Sequence, residues 1–141
     1  MKSHNIYLLV SLIAPLILLN GCGGGKYSDA KKVTNEYADA MDDFSAAIDK
    51  SNSAGDVAKA MDSFTDKMAK IAPKMKKIQE KYPELQGMTT PPPELADSKK
   101  RIEEVTQKYT GSMMKLMQYV NDPEVQKAQE RMSKVMQNIQ N

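Results

Sequence analysis

The stretch VAKAMDSFTDKMAKIAPKMKKIQEKYPEL, residues 57–85, decides the fold. Its apolar residues recur at alternating steps of four and three: Val57, Met61, Phe64, Met68, Ile71, Met75, Ile78, Tyr82 and Leu85. This heptad spacing places all of them on one face of an α-helix, which must be buried against other helices. Pro73 interrupts the pattern and removes a backbone hydrogen bond, so we expect a kink or a short break near residues 69–73.

Three further segments carry an apolar stripe at helical spacing. Counted along the chain, helix 1 is predicted over residues 28–50 and helix 3 over residues 93–120, and helix 4 follows the last break. The breaks between helices are marked by the sequences SNSAG (51–55), GMTTPPP (87–93) and NDPE (121–124). Asp-Pro-Glu at the last break is typical of a helix start, with Asp as N-cap and Pro at the first helical position. We therefore predict an all-α fold: a small antiparallel helical bundle of about four amphipathic helices, with helices 2 and 3 forming a long hairpin.

Two local features of these helices carry specific expectations. Ser53 stands three residues before Asp56, which resembles a weak capping box at the start of the second helix. Gly111 lies within the third helix, where it costs about 1 kcal/mol relative to Ala. A close crossing of two helices is the favoured explanation for this glycine, and a hinge is the alternative.

Composition excludes several classes of protein. The chain has 141 residues, the length of one domain, and a net charge of +2, which excludes a strongly basic nucleic-acid binder. One Cys excludes an intramolecular disulfide framework and a Cys-based zinc cluster. The single His, His4, is too close to the start to serve a folded catalytic or haem site. The neighbouring acids Asp42 and Asp43 point about 100° apart on a helix and do not face each other as an acid and a base. We therefore expect a protein that is not an enzyme and has no catalytic residues.

The first 21 residues are predicted to be a secretory signal. Lys2 precedes an apolar run of 14 residues, 6–19, which contains Pro15. A transmembrane helix needs about 20 apolar residues, so this run is too short to span a bilayer comfortably. A charged start followed by a short apolar run and small residues is typical of a cleaved signal peptide.

The end of this segment, Leu19-Asn20-Gly21-Cys22, resembles the lipobox of bacterial lipoproteins. The resemblance implies cleavage between Gly21 and Cys22, diacylglycerol on the Cys22 thiol and an acyl chain such as palmitate on the new amine. The alternative is an ordinary signal peptide with an incidental Cys. Because Gly23 rather than Asp follows Cys22, resemblance to enterobacterial sorting rules implies the outer membrane, facing the periplasm.

The resemblance also divides the chain. Residues 1–21 would be the lipoprotein signal peptide, residues 22–28 the lipidated Cys and a flexible Gly tether, and residues 29–141 the helical bundle. Two or more acyl chains hold a protein stably at a membrane. We expect no cofactor apart from this covalent lipid.

The second helix also carries a stripe of lysines. This lysine stripe consists of Lys67, Lys70, Lys74, Lys77 and Lys81, again at steps of three and four. Its functional interpretation is binding of anionic lipid head groups, an anionic polymer or an acidic envelope protein. The alternative is a solvated face that pairs with the acidic stripe Glu36, Asp39 and Asp43 of the first helix and sets the register of the two helices.

Methionine is the other unusual feature, with ten of eleven Met lying beyond the signal segment. Most fall on the apolar stripes, where Met fills irregular gaps in a core. Met113, Met114 and Met117 are the candidates for another role, since thioethers suit Cu(I) and exposed Met suits adaptable partner surfaces. The sequence nevertheless predicts no dedicated metal site.

Together these features predict a lipid-anchored envelope lipoprotein with a non-enzymatic helical interaction or structural domain. The alternative function is a small-ligand or Cu(I)-binding periplasmic carrier that uses the clustered Met. The heptad seams also allow pairing between chains, so a homo-oligomer is a further expectation.

Overall fold

The structure, a computed structural model, describes residues 25–140, with side chains described for residues 25–137. The predicted signal peptide, Cys22, Gly23 and Gly24 lie outside these residues. The four α-helices are α1 (Ser28–Lys50), α2 (Ala54–Lys81), α3 (Ala96–Leu116) and α4 (Pro123–Gln140), with short 3-10 turns at Pro83–Leu85, Pro93–Leu95 and Met117–Tyr119. The described part of the chain contains no strand, so the predicted all-α bundle is confirmed.

The helices alternate in direction along the chain, but their neighbours differ from the prediction. α1 packs against α2 and α3, and α4 packs against α2. The expected hairpin of helices 2 and 3 is therefore wrong, because these two helices make few contacts. The physical reason lies in the connections: only residues 51–53 separate α1 from α2, and such a short turn forces antiparallel neighbours. The long connection from residue 82 to residue 95 instead carries α3 to α1.

The core is built on the heptad seam of α2. Val57, Met61, Phe64, Met68 and Ile71 are all buried. They meet the buried face of α1, where the Phe44 ring lies 4.9 Å from the Phe64 ring. α3 and α4 complete this core from either side with Val105, Leu116, Val125 and Ala128. Each large side chain buried in this way stabilises the fold by about 1.5–3 kcal/mol.

The predicted helix starts of α2 and α4 are confirmed by their hydrogen bonds. The Ser53 hydroxyl accepts from the Asp56 backbone N–H at 3.2 Å. Asp56 reaches back to the backbone N–H of Asn52, one residue earlier than in a standard capping box. At α4, an Asp122 carboxylate oxygen accepts from the Glu124 backbone N–H at 2.9 Å, directly before the helix opens at Pro123.

The structure bears on both expectations about helix interiors. Of the two alternatives at Pro73, the short break is wrong, since α2 runs without interruption from Ala54 to Lys81, and the kink favoured by the continuous apolar spacing stays a prediction. Pro73 removes the partner of the Ala69 carbonyl, and both residues are exposed, so water can satisfy that carbonyl. The close helix crossing expected at Gly111 is also wrong, because a Cβ built there would meet nothing within 4 Å.

Candidate functional site

The lysine stripe lies along the edge of α2 that faces α1, and three of its five members are paired. Because both helices place these charges seven residues apart, the pairs form an antiparallel ladder. Each side chain is partly exposed, so water screens each pair, and the ladder serves mainly to set the register of the two helices. The three pairs are Lys67 with Asp43 at 2.5 Å, Lys74 with Glu36 at 2.6 Å and Lys81 with Asp29 at 2.6 Å.

The other two members of the stripe, Lys70 and Lys77, are exposed and form no ion pair with any residue of 25–137. Lys70 lines a shallow groove of about 270 Å³ between α1 and α2, together with residues of the ladder. Asp39, expected to face the stripe, also lines this groove but pairs with Arg101 of α3. Lys70 and Lys77 are therefore the members of the stripe that offer their charge to an external anion.

Further ion pairs join α3 to α1 and α4 to α2. Lys108 of α3 binds Asp42 of α1 at 2.7 Å, and this hydrogen bond raises the pKa of the lysine. Arg131 of α4 binds Asp62 at 2.8 Å and Asp66 at 2.5 Å on α2, and these bonds raise the pKa of the guanidinium. Acidic side chains of α1 and α2 thus form ion pairs with basic side chains of α3 and α4.

Two tyrosines join the first residues of the domain to the end of α2, and we call this pair the tyrosine clasp. The rings of Tyr27 and Tyr82 meet edge to face at 5.2 Å. The Tyr82 hydroxyl lies 2.7 Å from both the Lys26 carbonyl oxygen and Asp29 Oδ1. Hydrogen bonds from Lys81 and then Tyr82 lower the pKa of Asp29 to about 2. The Tyr27 hydroxyl donates to Glu84 at 3.2 Å.

Sequence reasoning missed the clasp as a unit. The sequence pattern identifies Tyr82 only as a member of the apolar seam, and Tyr27 stands just before the first helical residue, outside every periodic pattern. The one signal in the sequence is an aromatic residue directly between the glycine run and the first helix, where a flexible tether would need no bulky side chain.

A second groove, of about 240 Å³, lies at the same end of the bundle between α1, α2 and α3. Its lining is almost entirely apolar and includes Val33, Tyr37, Met75, Ile78 and Ile102. Burial raises the pKa of the Tyr37 hydroxyl. The groove is smaller than most ligand pockets, which occupy about 300–1,000 Å³.

The methionine candidates separate into two environments. Met114 and Met117 are 76% and 65% exposed, whereas Met113 packs against the core. Met61 and Met68 are 0% and 4% exposed, as expected for Met that fills a core. Within the described residues, no group of three or more His, Cys, Asp or Glu side chains is placed to hold a metal ion. Met114 and Met117 are therefore the two exposed thioethers of this cluster that a soft metal ion or a partner surface could contact.

No helix in the described part of the chain is long and apolar enough to cross a membrane. No protein-family model matches the sequence, and no curated protein or solved structure is significantly similar to it.

Proposed function

We propose that this protein is a bacterial lipoprotein, anchored through lipid on Cys22, whose bundle is a non-enzymatic interaction or structural domain of the cell envelope. The observation that carries the proposal is the sequence Leu19-Asn20-Gly21-Cys22, which ends in the only Cys of the chain. Three glycines follow it, and the folded domain begins directly after them, with α1 starting at Ser28. This spacing suits a lipid-bearing first residue on a short tether. The residue after Cys22 favours the outer membrane and a periplasm-facing domain.

The use of charge within the bundle supports a structural or interaction role. Asp42, Asp43, Asp62 and Asp66 each bind a cation on a neighbouring helix. These carboxylates therefore help to assemble the bundle. The charged groove between α1 and α2, at about 270 Å³, is also small for a substrate pocket.

The anchor is tested by intact mass and membrane fractionation of the native protein beside Cys22→Ala. The expected native product begins at Cys22, carries the mass of diacylglycerol and an acyl chain, and sediments with membranes, whereas the variant carries no lipid. Gly24→Ala is the matched control, because it alters the tether without touching the thiol, and it should remain lipidated. An unmodified, released native chain cut elsewhere would favour an ordinary signal peptide.

The partner of the bundle, an envelope protein or an anionic polymer, is expected at exposed side chains. If such a partner uses the lysine stripe, its cross-linking in intact envelopes should depend on Lys70 and Lys77. Lys67, Lys74 and Lys81 are poor choices for this test, because neutralising them also breaks the ladder between α1 and α2. Retention of every cross-linked partner by Lys70→Gln/Lys77→Gln would remove the stripe from the proposal.

Self-association is tested separately. The seam of α2 is buried within one chain, where Val57 and Met61 are both 0% exposed. A homo-oligomer would thus have to use other surfaces. Light scattering over a range of protein concentrations measures this directly, and a constant monomer mass would exclude it.

One observation favours a second function, a Cu(I) or small-ligand carrier: the exposure of Met114 and Met117 on adjacent turns. Titration with Cu(I) under reducing conditions tests it, with Met114→Leu/Met117→Leu as the variant. Met88→Leu is the control, because Met88 is also exposed, at 49%, and lies outside this cluster. Equal binding by the native protein and both variants would exclude the carrier.

A further inference from the structure

We infer that the end of the bundle nearest the tether docks on anionic lipid head groups of the membrane that holds the anchor, through Lys32, Lys70 and Lys77. The distal end of the bundle then points away from the bilayer. This inference rests on the proposed lipid anchor and adds to it an orientation and a lipid-binding surface.

The fold gathers three chain segments at the tether end. The start of α1 meets the end of α2 through the Asp29–Lys81 pair, and Lys31 of α1 lies 3.9 Å from Asp97 of α3. We therefore define the tether half as residues 26–37 and 70–103, and the distal half as residues 38–69 and 104–140. The boundary crosses α1, α2 and α3 at similar positions along the long axis of the bundle.

Charge is distributed unevenly between these halves. The tether half contains 11 Lys and Arg against 7 Asp and Glu, a balance of +4. The distal half contains 8 Lys and Arg against 11 Asp and Glu, a balance of −3. The near-neutral total therefore conceals a bundle with one positive and one negative end. A negative membrane surface attracts the first end and repels the second.

The tether places the positive half within range of that surface. Lys26 is the fourth residue after Cys22, and a fully extended chain over these four steps spans at most about 14 Å. The Debye length at physiological ionic strength is about 8 Å, so surface attraction acts only on charges held close to the bilayer. Along α2, Lys77 lies about 6 Å and Lys70 about 17 Å from Lys81 at the tether end, so contact through both lysines requires the bundle to tilt toward its α1–α2 face. The other end of α2 lies about 42 Å away, so in this orientation the distal end stays beyond that range.

Three lysines of the tether half share the outer face of the α1–α2 pair. Lys70 and Lys77 follow the ladder residues on α2, and Lys32 precedes Glu36 by one turn of α1. All three are exposed, and none forms an ion pair within residues 25–137. Contact with lipid phosphates therefore requires no pair of the ladder to break. An acidic protein could also bind them, but their place beside the tether favours the bilayer surface.

Amine footprinting of the lipidated full-length protein in vesicles tests the inference. The vesicles contain phosphatidylcholine alone or phosphatidylcholine with phosphatidylglycerol, and brief acetylation is read by mass spectrometry. On anionic vesicles, acetylation of Lys32, Lys70 and Lys77 should fall about fivefold, the factor that corresponds to the attraction of one lysine to an anionic surface. Lys59 and Lys127 of the distal half should be unchanged. The protection should disappear in about 1 M salt, where the Debye length is about 3 Å.

A pair of matched variants tests whether the three lysines cause the docking. In Lys32→Gln/Lys70→Gln/Lys77→Gln, the protection of nearby Lys81 should be lost. The control removes the same charge from the distal half, in Lys50→Gln/Lys59→Gln/Lys127→Gln, and should keep that protection. None of these six lysines forms an ion pair within the described residues, so both variants should keep the helical content of the native protein.

The possible results separate the inference from the proposed anchor. A native chain whose mass shows no lipid overturns both. A lipidated chain with equal acetylation on neutral and anionic vesicles, or with equal protection of both halves, overturns the membrane-docking surface alone. Protection in native envelopes that is absent in protein-free vesicles assigns the lysines to an acidic partner and likewise overturns the inference.

Discussion

Replacing Met61 by Ala is the sharpest test of how this bundle uses its methionines. Met61 lies in the middle of the α2 seam with 0% of its surface exposed, and the interior around it contains Phe44, Ile48 and Phe64. Met114 is the matched control, because it has the same side chain on a helix of the same bundle but is 76% exposed.

The expected cost follows from burial. Removing a fully buried Met side chain loses its transfer free energy and leaves a cavity that the neighbours fill only in part. The sum is about 2–5 kcal/mol for Met→Ala in a core. Small domains have a total stability of about 5–15 kcal/mol, so Met61→Ala removes a large share of it. Met114→Ala should change the free energy of unfolding by no more than about 0.5 kcal/mol.

Urea unfolding followed by far-ultraviolet circular dichroism measures both variants. For a small protein the free energy of unfolding falls by about 1–3 kcal/mol per molar urea, so the midpoint for Met61→Ala should fall by at least about 0.7 M. A loss below about 1 kcal/mol for Met61→Ala would refute the reasoning, because it would place the side chain outside a packed core. An equal loss for Met114→Ala would refute it too.

Three further outcomes are expected. Gly111→Ala should raise the free energy of unfolding by about 1 kcal/mol, since the new Cβ enters open space on a helix. A lower free energy of unfolding, measured with urea, would contradict this. A double-mutant cycle of Glu36→Gln and Lys74→Gln should give a coupling of about 0–1 kcal/mol that weakens in salt, and a coupling well above this would show that the ladder is more than a register device. Because the folded pKa of Asp29 lies at about 2, below its ordinary value of 3.8, its stabilising effect is complete above pH 3.8 and is lost as pH falls through 2. Tyr82→Phe should raise the Asp29 pKa measured by NMR, and an unchanged value would exclude the tyrosine as a cause.

The elements of this fold follow from local pattern, whereas their arrangement does not. The heptad seam of α2, the Ser53 cap and the Asp122-Pro123 start each depend on residues close in sequence, and each was predictable. The choice of helix neighbours depends on connection length: three residues hold α1 beside α2, while the long connection after Tyr82 leaves several positions open to α3. An apolar stripe shows that a helix has a partner without showing which one.

The lysine stripe illustrates the same limit at the candidate site. Its spacing fits an external anion and an internal acidic ladder equally well, because both interpretations need lysines on one helical face. Only the placement of α1 beside α2 separates the paired members, such as Lys74, from Lys70 and Lys77, which form no ion pair within residues 25–137. The tyrosine clasp depends on residues 27 and 82 meeting across the fold, which no local pattern encodes.

The tyrosine clasp also determines how the domain would bear a mechanical load. If the chain is anchored through Cys22, a force that pulls on the bundle is transmitted to it through the backbone at Lys26. There the Lys26 carbonyl lies 2.7 Å from the Tyr82 hydroxyl, and the Lys26 side chain binds Glu84 at 3.0 Å. The pull is therefore divided between the start of α1 and the end of α2. Peeling α1 from the bundle would require both contacts to break first, so the point of attachment is also the point of reinforcement.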